Sequence, residues 1–146
     1  MVAAIQNFGA PAAHIPPRPF FTNMVKDKSP EWPKAVGDLL KDNDYDANAT
    51  LNQAGAGIKG QLQQAIVDTY APALSPVTVM LRGMKSQDPT LVVTGKTVGE
   101  ARARVKAGLT NYGASTKPLI EHGDMLNAVD FEVSISAAGL NQISPV

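Results

Sequence analysis

The stretch Val129-Asp130-Phe131-Glu132-Val133-Ser134-Ile135 decides the fold class expected of this chain. Its apolar residues fall at 129, 131, 133 and 135, with polar residues between them. Side chains that alternate with a period of two point to opposite faces of an extended strand, so this strand has one core face and one wet face. That is the pattern of an antiparallel sheet packed on helices. The expectation is an α+β fold: a small antiparallel or mixed sheet packed against a long central helix and shorter helices, with an extended arm or hairpin.

The long helix is expected upstream, from about Ala47 to Tyr70. Leu51, Ala54, Ile58, Leu62, Ala65, Ile66 and Thr69 recur at spacings of three and four, and Gln53, Lys59, Gln61, Gln63 and Gln64 occupy most of the rest. Gly55, Gly57 and Gly60 weaken such a helix by up to about 1 kcal/mol each relative to alanine. They are expected where another backbone packs close. A shorter helix is expected from Ser29-Pro30-Glu31, a capping hydroxyl followed by proline and an acid. It carries Trp32, Val36, Leu39 and Leu40 on one face and ends near Lys41.

Between these two helices, Asp42-Asn43-Asp44-Tyr45-Asp46 lacks the central glycine and final glutamate of a calcium loop, so it reads as solvated. A third helix is expected near Thr97, which forms a capping box with Glu100. Its inner face is Val98, Ala101, Val105, Leu109 and Tyr112. Asp124 is expected to cap a short turn through Met125 and Leu126.

Further extended segments are expected at 2–8, closed by a turn at Gly9-Ala10-Pro11, and across 71–94. In the latter, Val77, Val79 and Leu81 alternate and Leu91-Val92-Val93 follows, which suggests a hairpin or an exposed arm. Ile15-Pro16-Pro17-Arg18-Pro19-Phe20-Phe21 cannot be a helix interior, because three prolines remove three donors and hold the chain extended. This places one domain over 1–146, with a proline-rich connector at 11–21, an arm at 71–94 and a tail at 136–146 that orders only when something binds it.

The 146 residues include no cysteine, 44% apolar and 18% charged residues, and a net charge of zero. Disulfides and thiolate chemistry are excluded. No run reaches the roughly 18 apolar residues of a membrane span. The first residues lack the basic start and long apolar run of a signal peptide, so the chain is expected to fold in a cytoplasm. A broad phosphate-binding footprint needs excess positive charge. Arg102, Arg104 and Lys106 therefore read as a solvated helix face, unless the fold gathers them with Lys117 on a channel wall.

His14 and His122 are the only histidines, too few at this spacing for a metal site, and each reads as a surface or loop-locking residue. Ser115, His122 and Asp124 lie near one another in sequence, without the Gly-x-Ser-x-Gly elbow that exposes a nucleophile. The remaining carboxylates show no spacing for shared-proton work. No catalytic residue, metal ligand or cofactor is assigned.

Two stretches resemble a known family. Ala3-Ala4-Ile5-Gln6-Asn7-Phe8-Gly9, followed by Ile15-Pro16-Pro17-Arg18-Pro19-Phe20, resembles the Phe-Gly turn and "Ile-Pro-x-Arg-Pro-Phe" connector of small tail-completion and neck proteins of tailed bacteriophages. These are the families grouped with HK97 gp10-like proteins and the lambda minor tail protein Z. Lys117-Pro118-Leu119-Ile120-Glu121-His122-Gly123-Asp124-Met125-Leu126 is similar to their "Lys-Pro-Leu-Ile-x-Thr-Gly-x-Leu" segment, with His122 where threonine is common. Here the segment 82–114 is longer than the usual short basic loop.

The resemblance implies a non-catalytic virion protein of the neck or tail region, assembled in the host cytoplasm. Its partners would be itself, in a ring often of six subunits, the head–tail connector or adaptor proteins, and the tail tube or terminator protein. DNA would pass through the lumen without specific binding. Phe8, Ile15, Pro16, Arg18, Pro19, Phe20, Phe21 and Leu81 are the expected contacts to neighbouring subunits, with Arg18 placed to grip a carboxylate in its own chain or the next. The competing expectations are a head-closure or connector component, and a small phage accessory hydrolase or nucleic-acid-binding protein.

Overall fold

The structure is a computed structural model and describes residues 2–110, 113–121 and 123–134. Among the described residues there is no strand and no sheet, only helices and loops, apart from one isolated antiparallel bridge between Ala10 and Ile15. The α+β expectation is therefore corrected to a helical fold.

Residues 2–8, expected as a strand, form helix α1 (Val2–Phe8). Alanine and glutamine favour the helix, and a helix satisfies its own backbone where no neighbouring strand exists to do so. Gly9, at φ 77°, ends it and donates its N–H to the Ile5 carbonyl at 2.8 Å. A side chain here would be strained twice over: φ is left-handed, and a Cβ would lie 2.9 Å from both the Ile15 carbonyl oxygen and the Pro17 nitrogen. The proline-rich connector thus folds back over Gly9.

The connector holds a 3-10 turn at Pro11–Ala13 and ends at Pro19 rather than Phe21, because Phe20 opens an unforeseen helix, α2 (Phe20–Lys28). This helix runs through a 3-10 turn, Ser29–Glu31, into α3 (Trp32–Asp42). Ser29 does not cap α3, since the helical turn before it already supplies backbone partners and its own N–H bonds the Val25 carbonyl.

The long helix expected over 47–70 is α4 (Ala47–Asp68). Asp46 caps it, accepting from the N–H groups of Asn48 at 2.9 Å and Ala49 at 3.0 Å. Trp32 Nε1 donates to Gln61 Oε1 at 2.9 Å, tying α3 to α4. The first core cluster, Phe20, Ile66 and Leu119, joins α2 and α4 to the loop after residue 113, with Leu62, Met125 and Val129 packed around it.

The expected arm or hairpin across 71–94 is instead helix α5 (Pro76–Gln87) between two loops. Ser75 Oγ accepts from the Thr78 N–H at 3.1 Å, and Pro76 stands at the first helical position. Val77 and Leu81 fit a helix as well as a strand because they are four residues apart. Met80 and Met84 complete the helical stripe and pack on Ala101 and Val105 of α6 (Gly95–Lys106), forming a second core cluster. Helix α6 begins earlier than expected, with Thr94 as the cap and Thr97 as its reciprocal partner. Ala101 and Val105 lie inward as expected, but Leu109 is exposed.

Arg82 of α5 links the two clusters. Its Nη1 donates to the carbonyls of Ser115 at 3.1 Å and Lys117 at 2.8 Å, and its Nη2 to that of Pro118 at 3.2 Å. The short turn after Gly123 is helix α7 (Asp124–Asn127), with left-handed Gly123 at the cap position and no side-chain cap from Asp124.

Residues 129–134, expected as the final strand, pair with no strand among the described residues and run beside α4. The alternating side chains are used, but against small residues of a helix instead of a sheet. The Phe131 ring lies on Gly55, in the space a Cβ would take. The close approach expected at the α4 glycines therefore comes from a ring rather than a backbone, and only there; Gly57 and Gly60 have nothing within 4 Å of a built Cβ. Tyr112, His122, Ile135 and the tail 136–146 lie outside the described residues.

Candidate functional site

The eight residues expected to touch neighbouring subunits divide sharply. Phe8 and Phe21 stand on the surface, 71% and 47% exposed, while Phe20 belongs to the first core cluster and Leu81 packs on the second. Pro16 is exposed; Ile15 and Pro19 are half-buried. The helices that carry Phe8 and Phe21 are joined through Asn7, a buried residue that the sequence reading passed over. Asn7 Oδ1 accepts from the N–H groups of Phe21 and Thr22, and its Nδ2 donates to Thr22 Oγ1 at 2.8 Å. The first turn of α2 follows a proline and has no local capping side chain, so α1 supplies one.

Arg18 is only 5% exposed. Its Nε donates to the Pro72 carbonyl at 3.0 Å and its Nη1 to Gln6 Oε1 at 3.2 Å, and its own N–H to the Gln6 carbonyl at 2.7 Å. These acceptors are neutral, and no carboxylate pairs with Arg18 among the described residues. Burial, and next the like charge of Arg82, press the Arg18 guanidinium below its ordinary pKa.

Arg18, Arg82 and Lys85 line one cleft of about 490 Å³, together with His14, Gln6, Leu74, Leu81 and Glu121. Glu121 faces Arg82 at 3.5 Å. His14, in the left-handed region at φ 53°, is an exposed residue on the cleft rim. The cleft is built mainly by α1 with the connector that follows it, by residues 73–75 with α5, and by the 118–121 segment, three parts of the chain far apart in sequence.

The acidic loop at 42–46 is solvated as expected, with Asp46 spent on the α4 cap. Asp44 and Tyr45 take left-handed backbone angles, φ 51° and 64°, and Tyr45 is 72% exposed. Arg102 and Lys106 are exposed one turn apart on α6, and Arg104 is half-buried and engaged. Lys117 is directed elsewhere, its ammonium 5.4 Å from the centre of the Tyr70 ring.

Ser115 Oγ accepts the Lys117 N–H at 3.3 Å, and Asp124 begins α7. No group of three or more His, Asp or Glu residues is placed to hold a metal ion among the described residues, and no helix among them is long and apolar enough to cross a membrane.

Ser75-Pro76 carried the same helix-start signal that was applied at Ser29-Pro30. Arg82 carried none, because its partners are backbone carbonyls more than 30 positions away. No family model, curated protein or solved structure matches the chain.

Proposed function

We propose that this chain is a structural subunit of the neck or tail terminus of a tailed bacteriophage, forming a ring that completes the tail and joins it to the head connector. The carrying observation is the arrangement round the connector. Arg18 and Phe20 anchor it inside the chain, whereas Phe8 and Phe21, joined at the backbone through Asn7, present aromatic rings to the outside. Large apolar side chains held outward on rigid helices are suited to an interface core, where aromatic residues are enriched.

The two motifs that resemble tail-completion and neck proteins supply the rest. On this reading the partners are further copies of the chain, the connector or adaptor proteins and the tail tube or terminator protein, with DNA passing through the lumen. The working location is the virion, after assembly in the host cytoplasm, and no catalytic step is involved.

The test is the absolute mass of the purified protein by light scattering over a concentration series, then with purified tail tubes and with connectors. Discrete rings, or a monomer that assembles only on a tube end or connector, are the expected result. A monomer that binds neither overturns the reading.

A further inference from the structure

We propose that the cleft holding Arg18 receives the acidic loop at residues 42–46 of a second copy of this chain, and that this head-to-tail contact links one subunit to the next. The proposal rests on the ring reading above and names the surfaces that would form the ring.

The cleft has the chemistry of a carboxylate receptor. Arg18, Arg82 and Lys85 line it with Glu121 as the one carboxylate among them. A buried guanidinium bonded only to a backbone carbonyl and an amide oxygen lacks a counter-charge. Its Nη2 donates to no acceptor among the described residues, which leaves a side of the fork for a charge-assisted bond. An incoming carboxylate would offset both the desolvation of Arg18 and its repulsion by Arg82. Leu74 and Leu81 add apolar wall beside the cations.

The loop has the complementary chemistry. Asp42 and Asp44 are exposed, and their carboxylates make no hydrogen bond among the described residues. Tyr45, next to Asp44 in sequence, is exposed and offers a ring to the apolar wall. The loop is held in shape: the Tyr45 N–H donates to the Leu40 carbonyl at 2.8 Å, and the Asn43 and Gln53 amides bond each other at 3.0 and 3.2 Å. Little conformational freedom remains to be lost on docking.

Geometry makes the contact intermolecular. The loop leads into the N-terminus of α4, and the cleft adjoins residues 73–75, beyond its C-terminus. A helix of 22 residues is about 33 Å long, so a chain's own loop cannot fill its own cleft. Two different, complementary surfaces at opposite ends of one helix make a heterologous contact, the kind that closes into rings or extends into filaments.

The test uses the full chain in sedimentation equilibrium at fixed ionic strength, comparing wild type with Lys85→Glu, Asp44→Lys and the chain carrying both. These positions are exposed, and circular dichroism verifies that each variant folds. Each single substitution should weaken assembly at least about tenfold, and the double substitution should restore it, because positions 85 and 44 then again carry charges of opposite sign. Rings that ignore all three changes overturn this contact and leave the ring reading standing. A wild-type chain that stays monomeric, alone and with tubes or connectors, overturns both.

Discussion

Asn7 Oδ1 accepts the backbone N–H of Phe21 at 3.1 Å, so one helix caps the next across 14 residues of sequence. The same oxygen takes the Thr22 N–H at 3.2 Å. Replacing Asn7 by alanine leaves these partly buried donors without an acceptor and should cost about 2 kcal/mol in urea unfolding. Asn7→Asp keeps the acceptor and adds a charge favoured at a helix N-terminus, so it should cost less than half as much. Equal losses for the two variants would show that the cap is not what Asn7 contributes.

Phe131 and Gly55 give a test of where residues 129–134 lie. Gly57→Ala and Gly60→Ala should each raise stability, by up to about 1 kcal/mol, because alanine favours the helix and meets nothing nearby. Gly55→Ala should show no such gain, since its methyl displaces the Phe131 ring. Thermal unfolding of the three variants checks this, and an equal gain at all three positions would remove Phe131 from α4.

Arg82 holds the 115–118 loop by three carbonyls. Arg82→Met should cost about 3 kcal/mol, because three carbonyls lose their one charged donor together. Arg82→Lys should recover less than half, as a point charge cannot reproduce the planar fork. Hydrogen exchange over residues 113–121 should rise in step with the loss of stability in both variants.

Asp130 sets an acid limit on the same segment that carries Phe131. The hydrogen bond from Lys59 at 3.1 Å, then that from the Phe131 N–H, then the charge of Lys59, hold its carboxyl below the ordinary 3.8. A depressed carboxyl pKa contributes in full above 3.8 and loses its contribution as the pH falls through the lower folded value. Amide exchange at 129–134 should therefore accelerate below pH 3.8, relative to α4. Asp130→Asn should abolish that acid step; an unchanged step would assign it to another group.

Local signals in the chain were enough for some of this structure. The stripe from Leu51 to Ile66 is too long and regular for anything but a helix, and α4 follows it, with its cap supplied by the adjacent Asp46. Gly9 marks the end of the first element whichever element that is, because its left-handed backbone angle strains any residue that carries a side chain. The solvated acidic loop and the apolar face of α6 at Ala101 and Val105 were legible for the same reason: each pattern is set by residues within one or two turns. The exposure of the candidate contact residues was not legible. Phe20 and Phe21 are adjacent and point to opposite fates, core and surface.

Tertiary structure decided what local pattern leaves degenerate. Alternation at Val77, Val79 and Leu81 fits a strand, yet Val77 and Leu81 also lie one helical turn apart, and the choice is made by Met80 and Met84 finding Ala101 on α6. Period-two alternation at 129–133 specifies an extended chain with one apolar face. It does not specify a sheet, which needs a neighbouring strand; the groove over Gly55 takes that face instead. The α2 cap, the Arg82 clasp and the cleft around Arg18 unite residues between 12 and 54 positions apart. A sequence read by its local periods determines which faces are apolar and where the chain must turn; which face meets which is set by packing between elements, and only the folded chain contains it.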